Sequence, residues 1–340
     1  MARPARKRRA RDASLVGDVG ATNARFALIG RNGAVEAVRV LACADYASLQ
    51  DAIAAYFSDN PQARGSRVRL RAAALAVAGP VGGDRVSLTN HPWSFSIREL
   101  RRHLGVGRLL VVNDFTAVAA AAPHLKPEDL TAVGGGTAEP GAPIGVLGPG
   151  SGLGVGGLVR AGDRWVAVSG EGGHVTMAPA TARESAVLDH MRQRFDHVSA
   201  ERLLSGPGLV NLYNTLAEID GVPAVAYTAA QITDPGIGES DPRCRETVGM
   251  FCAMLGVAAG NLALTLGARG GVYIAGGIVP KLGGVFAASG FRERFEDKGR
   301  LRPYLESIPT CVIDHPLPAF VGLAALLAET NGRRRPRRGG

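Results

Sequence analysis

The sequence predicts an α/β protein with two similar domains, each a mixed sheet with flanking helices. A strand, a glycine-containing turn and a second strand occur twice, at residues 15–29 and 144–159. Apolar strand-like runs then alternate with helical patterns, which is typical of layered α/β architectures. At 340 residues, the chain is long enough for two domains of ~100–200 residues each.

Apolar runs and turn residues place the elements of the first half. Asp45 is predicted to cap a helix that continues toward Phe57, and Asn60-Pro61 ends it. A strand leads through Asn113-Asp114 into an alanine-rich helix. The predicted strands are Ser14–Gly17, Arg25–Ile29, Val35–Ala42, Ala72–Ala78 and Leu109–Val112.

The second half repeats this pattern with longer helices. Strands are predicted at 144–147, 156–159, 165–168 and 272–275, and helices at 184–194, 199–204, 243–266 and 319–328. We therefore expect a small first domain at residues 14–124, to which a C-terminal helix at 316–331 returns, and a large second domain at 125–315.

The net charge of +9 is concentrated at the two ends of the chain. Residues 1–12 carry +5 and residues 332–340 carry another +5, so residues 13–331 sum to −1. We expect residues 1–13 and 332–340 to be disordered basic tails. Because neither tail contains an aromatic residue for base stacking, no nucleic-acid partner is expected, although weak nonspecific binding stays open.

Composition excludes several classes of protein. We identify Ala319–Ala328 as the longest strongly apolar stretch, well short of the ~18 residues of a membrane span, so no membrane partner is expected. No export signal follows the N-terminal arginines, and the four cysteines form no C-x-x-C pair, which favours a cytoplasmic protein without zinc or disulfides. None of the four lysines follows a G-x-x-x-x-G pattern, which excludes P-loop chemistry.

The first glycine-containing turn has the composition of a phosphate-binding hairpin. Small residues allow backbone N–H groups to approach an anion closely, Asp18 could hold magnesium through water, and Thr22 adds a hydroxyl. The alternative is an ordinary Asp/Gly hairpin turn. The segment consists of Asp18, Val19, Gly20, Ala21, Thr22 and Asn23.

The second turn contains a literal G-x-G-x-x-G at Gly152, Gly154 and Gly157. In a dinucleotide-binding fold, a helix must follow this pattern directly. Here the sequence continues as an alternating pattern with a turn, which predicts a hairpin and excludes the Rossmann interpretation. A second phosphate-binding hairpin, with Gly150, Ser151 and Gly152 at its tip, remains.

Three further segments carry polar side chains that could belong to a functional site. Asn113-Asp114 follows a buried strand, where active sites of α/β sheets gather; a helix cap is compatible with that role, and propensity alone favours the cap. Glu171 and His174 lie among glycines and could bind vicinal hydroxyls or form a solvated turn. Glu201 by itself is an acid near the start of a helix. No third ligand at metal spacing accompanies Glu171 and His174, so zinc is not expected.

Together these segments resemble the bacterial glucokinases of the hexokinase/actin-like ATPase fold. The resemblance extends over most of residues 15–315, and ERLLSGPGL and FEDKGR are its most specific stretches. It is carried by LVGDVGATNARFAL (15–28), LTNHPWSFS (88–96), NDFTAVA (113–119), GSGLGVG (150–156), GEGGHV (170–175), HVSAERLLSGPGLVNLY (197–213), GNLAL (260–264), GGVYIAGGIVP (270–280) and GFRERFEDKGR (290–300).

The resemblance implies ATP- and magnesium-dependent phosphorylation of D-glucose to glucose 6-phosphate in a cleft between the two domains, with Asp114 as general base. It implies that Asn113, Asp114, Glu171, His174 and Glu201 contact the sugar. It also implies that Asp18, Gly20, Ala21, Thr22 and Asn23 bind phosphate with Gly150, Ser151 and Gly152, and that Gly276 and Gly277 lie against adenosine. The family's habit favours a homodimer.

Three segments depart from the family pattern. Ala21 replaces a second glycine, so the first hairpin needs a backbone conformation that an L-residue tolerates. Pro149 and Ser151 replace a small residue and a threonine, and residues 318–322 match loosely. Two other functions stay open at this point: phosphorylation of another hexose or an amino sugar, and an ATPase binding module of the actin or chaperone type.

Overall fold

The computed structural model describes residues 11–61, 63 and 68–331, which form two compact units. The first unit contains the described residues up to Leu125 and those from Leu317 onward, and the second is Lys126–Pro316. Most of the predicted basic tails, residues 1–10 and 332–340, lie outside the described residues.

The first unit is a five-stranded sheet with helices and a small hairpin. Its sheet has the order β3-β2-β1-β4-β7, in which β1, β4 and β7 are parallel and the β1–β2–β3 meander is antiparallel. The strands are β1 (Arg11–Val19), β2 (Asn23–Ile29), β3 (Val35–Ala42), β4 (Val68–Val77), β5 (Arg85–Ser87), β6 (Ser94–Ser96) and β7 (Arg108–Asn113). The helices are α1 (Leu49–Asp59), α2 (Ile97–His103), α3 (Asp114–Ala121) and α13 (Pro318–Asn331).

The N-terminal boundary of the first unit differs from the prediction. Residues 11–13, expected in the disordered tail, belong to β1, which pairs with β4 from Arg11 onward. The Asp12 carboxylate is only 11% exposed and forms ion pairs with Arg31 and Arg71. Hydrogen bonds from these two arginines lower the pKa of the Asp12 carboxyl, and the bond from Arg31 has the larger effect. The prediction failed because Arg31, in the turn after β2, and Arg71, on β4, are distant from Asp12 in the sequence.

The second unit is built on a six-stranded sheet of order β11-β10-β9-β12-β13-β8. Its strands are β8 (Leu130–Ala132), β9 (Ile144–Pro149), β10 (Leu153–Ala161), β11 (Arg164–Ser169), β12 (Val272–Ile274) and β13 (Thr310–Ile313). Its helices are α4 (Ala182–Arg192), α5 (Gly206–Ile219), α6 (Ala229–Ile232), α7 (Pro235–Ser240), α8 (Pro242–Leu266), α9 (Val279–Leu282), α10 (Gly284–Ala287), α11 (Phe291–Glu296) and α12 (Arg302–Glu306).

The two large sheets repeat one arrangement. In each, an antiparallel three-stranded meander is followed by two parallel strands: β3-β2-β1-β4-β7 in the first unit and β11-β10-β9-β12-β13 in the second. The hairpin β1–β2 therefore corresponds to the hairpin β9–β10. This is the repeat that the two glycine-containing turns predict, and it places each turn at the carboxyl end of its first strand.

Helix α8 contains the longest apolar run among the described helices. Our assignment of that run to Ala319–Ala328 was wrong, since α8 has 25 residues and is apolar enough to cross a membrane by length and composition. Phe251 and Leu255 of α8 are fully buried in the core of the second unit. The buried core helix of a globular protein can have this length and apolar composition too, so α8 is weak evidence for a membrane span.

Two helix boundaries also differ from the prediction. Asp45 lies in a short 3₁₀ turn, and the cap of α1 is Ser48, whose hydroxyl accepts the Asp51 N–H. Residues 199–204 contain one 3₁₀ turn, Ala200–Arg202, rather than a longer helix. In both cases several residues that could cap a helix lie close together in the sequence. Their spacing alone does not show which of them begins the helix.

The C-terminal helix α13 packs closely against α3. A Cβ atom at Gly322 would lie 1.8 Å from the Ala117 carbonyl oxygen, so the two helix backbones touch at a position that accepts no side chain. The Arg108 guanidinium donates to the Leu326 and Leu327 carbonyls at 3.3–3.4 Å, which ties β7 to α13. Both elements that carry the Asn113-Asp114 pair are therefore fixed by α13.

Gly322→Ala is expected to lower the unfolding free energy by about 1–3 kcal/mol, since overpacking forces the two helices apart. Urea unfolding followed by circular dichroism measures the change. Gly249→Ala is the matched control, because a Cβ at this exposed position of α8 meets nothing within 4 Å. That change is expected to stabilise by roughly 0.5–1 kcal/mol, as alanine does in a helix interior. Equal unfolding midpoints for both variants would contradict the close packing.

Candidate functional site

In the first unit, the predicted residues gather at the carboxyl edge of the sheet. Strands β1, β4 and β7 are parallel, and their last register pairs are Val19–Val77 and Val77–Asn113. Adjacent strands lie ~4.8 Å apart, so the ends of β1 and β7 are separated by about 10 Å. Ligands of open α/β sheets bind outside such an edge.

The predicted first phosphate hairpin, residues 18–23, joins β1 to β2. The Gly20 N–H donates to the Asn23 carbonyl at 3.0 Å, and the Cys43 N–H donates to the Thr22 carbonyl at 2.9 Å. Among the described residues, only Ala37 and Asn90 are non-glycine residues with positive φ. Ala21 therefore has a backbone conformation that an L-residue tolerates, as the sequence requires. The hairpin is held by its own backbone and by the residue after β3.

Asp18 lies one residue before the end of β1, opposite Arg25 on β2. The Arg25 guanidinium is 3.2 Å from the Asp18 carboxylate, whose side chain is a quarter exposed. Burial raises the pKa of Asp18, and the positive charge and hydrogen bond of Arg25 oppose this shift only in part. The ionised carboxylate is therefore held in an unfavourable environment, which a further cation would relieve.

The raised pKa of Asp18 predicts that Asp18→Asn stabilises the protein at neutral pH. The folded state binds the Asp18 proton more tightly than the unfolded state does. The protonated Asp18 therefore stabilises the folded protein fully below its ordinary pKa of 3.8, and this stabilisation is lost as the pH rises through the raised pKa. Urea unfolding at pH 7 is expected to show a higher midpoint for Asp18→Asn, and the difference should narrow toward pH 4. Asp45→Asn is the control. A lower midpoint at pH 7 would contradict this interpretation.

Asn113 caps α3 and fixes the start of the helix that carries Asp114. Its side-chain oxygen accepts the N–H groups of Phe115 and Thr116 at 2.9 and 3.3 Å, and its Nδ2 donates to the Gly79 carbonyl at 3.3 Å. The helix cap that the sequence suggested for Asp114 is therefore formed by the Asn113 side chain instead. Asp114 is the first helical residue, and its Oδ1 accepts the Phe115 N–H at 2.9 Å. Two polar side chains are therefore presented from a rigid strand-to-helix junction.

One turn at the same edge was not among the predicted site residues. Asn90 has φ of 61°, an uncommon conformation for a residue other than glycine. The Thr89 N–H donates to the Ala78 carbonyl at 2.8 Å, beside Gly79, to which Asn113 is bonded. Asn90 belongs to the segment LTNHPWSFS, which contributes to the family resemblance but contains none of the predicted site residues. Asn90 is therefore a candidate site residue.

In the second unit, the predicted second phosphate hairpin joins β9 to β10. Pro149 pairs with Leu153, and the Gly150 N–H donates to the Gly152 carbonyl at 2.8 Å, so Ser151 lies at the tip. The chain continues into β10 and then antiparallel β11. No helix follows the G-x-G-x-x-G pattern, which confirms the exclusion of a Rossmann fold.

The predicted sugar-binding loop, residues 170–174 and called the sugar loop below, packs directly on β10. A Cβ at Gly173 would lie 2.1 Å from the Leu153 carbonyl oxygen, so this backbone contact requires glycine. The side chains of Glu171 and His174 are 64% and 59% exposed within the unit, with their Oε2 and Nε2 atoms 3.9 Å apart. The backbone is thus fixed while the carboxylate and the imidazole stay accessible.

Glu201 and Gly276, the first of two glycines after β12, lie against the second phosphate hairpin. The Leu153 N–H donates to Glu201 Oε2 at 2.9 Å. Gly276 has φ of 87°, and a Cβ there would lie 2.3 Å from the Pro149 carbonyl oxygen, whereas Gly277 is open. The second unit therefore brings together the following predicted residues: Gly150, Ser151, Gly152, Glu171, His174, Glu201, Gly276 and Gly277.

Among the described residues, no group of three or more His, Cys, Asp or Glu side chains could hold a metal ion. Magnesium, however, binds proteins through one or two carboxylates while keeping water and substrate phosphate ligands. A single partly buried carboxylate at a phosphate hairpin, Asp18, fits that mode. The donor set is thus compatible with magnesium that arrives with a nucleotide.

The chain is similar to known proteins over most of its length. The glucokinase family model matches residues 15–330. A glucokinase of Paramagnetospirillum magneticum is 55% identical over 316 residues, covering 93% of this chain and 97% of that protein. A glucokinase of Aromatoleum aromaticum is 50% identical over 314 residues, with coverages of 92% and 94%.

A crystal structure of a glucokinase from an Antarctic psychrotroph is 38% identical and superposes with a TM-score of 0.83, covering 94% of this chain and 99% of that one. The predicted fold class, the two-domain actin-like ATPase type with mixed sheets, is confirmed by this match and by the repeated sheets. The chain belongs to the glucokinase family.

Proposed function

We propose that this protein transfers the γ-phosphoryl group of ATP to the 6-hydroxyl of D-glucose, with Asp114 accepting the hydroxyl proton. Family membership over residues 15–330 supports the overall reaction. The observation that carries the role of Asp114 is its place at the start of α3, on the sheet edge that also holds the first phosphate hairpin. A base at that position can meet a hydroxyl while phosphate lies at the neighbouring turn.

Phosphoryl transfer requires alignment and charge stabilisation more than covalent chemistry. We assign the backbone N–H groups of the two phosphate hairpins and the hydroxyls of Thr22 and Ser151 to the ATP phosphates. Asp18 would hold magnesium through water, and the ion would neutralise charge on the β- and γ-phosphates. The partly buried position of the Asp18 carboxylate at the first hairpin supports this role, because magnesium binds proteins through one or two carboxylates together with water and phosphate ligands. Gly276 and Gly277 are assigned to adenosine, and the open space at Gly277 supports this assignment.

The sugar is proposed to contact Asn113, Asp114, Glu171, His174 and Glu201. Each of these polar groups would reject a sugar that lacks its hydroxyl partner, because the protein group would lose a hydrogen bond. Asn113 makes the cap of α3 with its oxygen, so its Nδ2 is the atom that can also donate to a sugar hydroxyl. The exposure of Glu171 and His174 supports their availability to a ligand.

The test is an ADP-production assay with ATP and magnesium over a panel of hexoses. Glucose is expected to give the highest kcat/KM, and mannose, fructose and N-acetylglucosamine lower values. A reaction without sugar measures the ATPase activity that an actin- or chaperone-like module would show. Equal ATP turnover with and without every sugar would refute the proposed function.

Two further properties follow as proposals. We assign the protein to the cytoplasm, supported by the burial of α8 in the core of the second unit. The homodimer implied by the resemblance stays a prediction, which light scattering during size-exclusion chromatography can test.

A further inference from the structure

The second phosphate hairpin depends on a side chain from another segment. Within the turn, the Gly150 N–H is bonded to the Gly152 carbonyl. The N–H of Leu153, a residue only 5% exposed, donates to Glu201 Oε2 at 2.9 Å. A buried backbone N–H needs a partner, and a charged acceptor makes the bond stronger. Glu201 thus satisfies the first N–H of β10.

The segment that carries Glu201 is bonded to the hairpin at a second point. The Gly206 N–H donates to the Gly150 carbonyl at 2.8 Å, and the Ser205 hydroxyl donates to the Glu201 carbonyl at 2.8 Å. A Cβ at Gly152 would lie 2.4 Å from Glu201 Oε2, so carboxylate and hairpin are in direct contact. Displacement of Glu201 must therefore disturb the hairpin.

The same segment also contacts the sugar loop and the residue that follows it. The Ala200 N–H donates to the Val175 carbonyl at 2.9 Å, and the His197 imidazole is 2.9 Å from the His174 carbonyl. A continuous chain of hydrogen bonds thus runs from the sugar loop through residues 197–206 to the second phosphate hairpin. Glu201 Oε1 has no hydrogen-bond partner among the described parts of the chain, which leaves that oxygen for a ligand.

We propose that Glu201 is a positioning residue for the second phosphate hairpin in addition to its sugar contact, and that it thereby couples sugar binding to nucleotide binding. Oε2 holds the Leu153 N–H, and Oε1 accepts a sugar hydroxyl. The inference rests on the proposed function and deepens it. Coupling of this kind is reciprocal, so the sugar strengthens nucleotide binding as much as the nucleotide strengthens sugar binding.

The test is calorimetric titration of AMPPNP with magnesium, without sugar and then with saturating glucose. Glu201→Ala is expected to weaken nucleotide binding without sugar by about 10-fold, the loss of one charge-assisted hydrogen bond. Glu201→Gln still offers an oxygen to the Leu153 N–H, so its nucleotide affinity should stay within about 3-fold of wild type while glucose binding weakens. The enhancement of nucleotide binding by glucose should shrink in both variants.

Glu171→Ala is the matched control, since Glu171 bonds to no atom of the second phosphate hairpin among the described residues. It is expected to weaken glucose binding and to leave nucleotide binding without sugar unchanged. If Glu201→Ala does not fold, Glu201→Asp replaces it in the test. The shorter aspartate side chain does not reach the Leu153 N–H, so we expect the same loss of nucleotide affinity.

Two results would overturn the proposal: unchanged nucleotide affinity in Glu201→Ala, or an equal loss in Glu171→Ala. The hexose assay with wild-type protein tests the proposed function separately. Wild type without activity on any hexose refutes that function, whereas the nucleotide affinities of the variants report on the hairpin in either case.

Discussion

Replacement of Asp114 by asparagine is expected to lower kcat by at least about 10²–10⁴-fold, the usual contribution of a positioned base. Asparagine has the same shape and keeps an oxygen for the Phe115 N–H, and Asn113 continues to cap α3. The variant loses the negative charge and the ability to accept a proton but keeps the shape of the side chain, so the glucose KM should change little. Steady-state ADP production at saturating ATP measures both constants.

The control for this variant is Glu99→Gln. Glu99 is an exposed acid in the first turn of α2, so its replacement removes a comparable interaction with a helix N-terminus, worth about 0.3–1 kcal/mol. This change should leave kcat at the wild-type value. Near-normal kcat in Asp114→Asn would exclude Asp114 as the base, whereas a rise in glucose KM alone would make it a binding residue.

Glu184→Ala is expected to lower the unfolding free energy by about 3–5 kcal/mol, because it leaves a buried arginine without its partner. Both carboxylate oxygens of Glu184 accept from Arg294 at 2.8 and 2.9 Å, and the two side chains are only 5% and 13% exposed. Glu184 Oε2 also accepts the Ala180 N–H at 2.6 Å. The pair joins the start of α4 to α11.

Asp189→Ala, on the same helix, is the control for Glu184→Ala. Its partner Arg192 and Asp189 itself are more than half exposed, and such surface pairs contribute about 0–1 kcal/mol. Urea unfolding of both variants at pH 7 gives the comparison, and Glu184→Gln is expected to fall between them. Similar unfolding midpoints for Glu184→Ala and Asp189→Ala would mean that the buried pair contributes little.

The hairpins and strand ends of this fold could be predicted because their signals are local. Apolar alternation and turn residues fix β2, β3 and the β10–β11 hairpin within a few positions. The same signals reject a helix after G-x-G-x-x-G. The grouping of site residues at the strand ends follows from strand direction, which the order of strands and helices already indicates.

The remaining contacts could not be predicted, since their partners are distant in the sequence. Glu201 and Leu153 are separated by 48 positions, and Glu184 and Arg294 by 110. The three-residue error at the start of β1 has the same origin, because Asp12 is held by Arg31 and Arg71. In the sequence these residues look like ordinary charged residues. Their partners are known only once the tertiary structure is known.

The return of α13 to the first unit has a consequence for the order of events during synthesis. When residue 125 leaves the ribosome, the first unit still lacks the helix that covers α3, and about 190 residues of the second unit must follow before α13 is made. At 5–20 residues per second this interval lasts roughly 10–40 s. The nascent first unit therefore exposes an apolar helix face throughout that time, and a chaperone that shields it would raise the yield of folded protein.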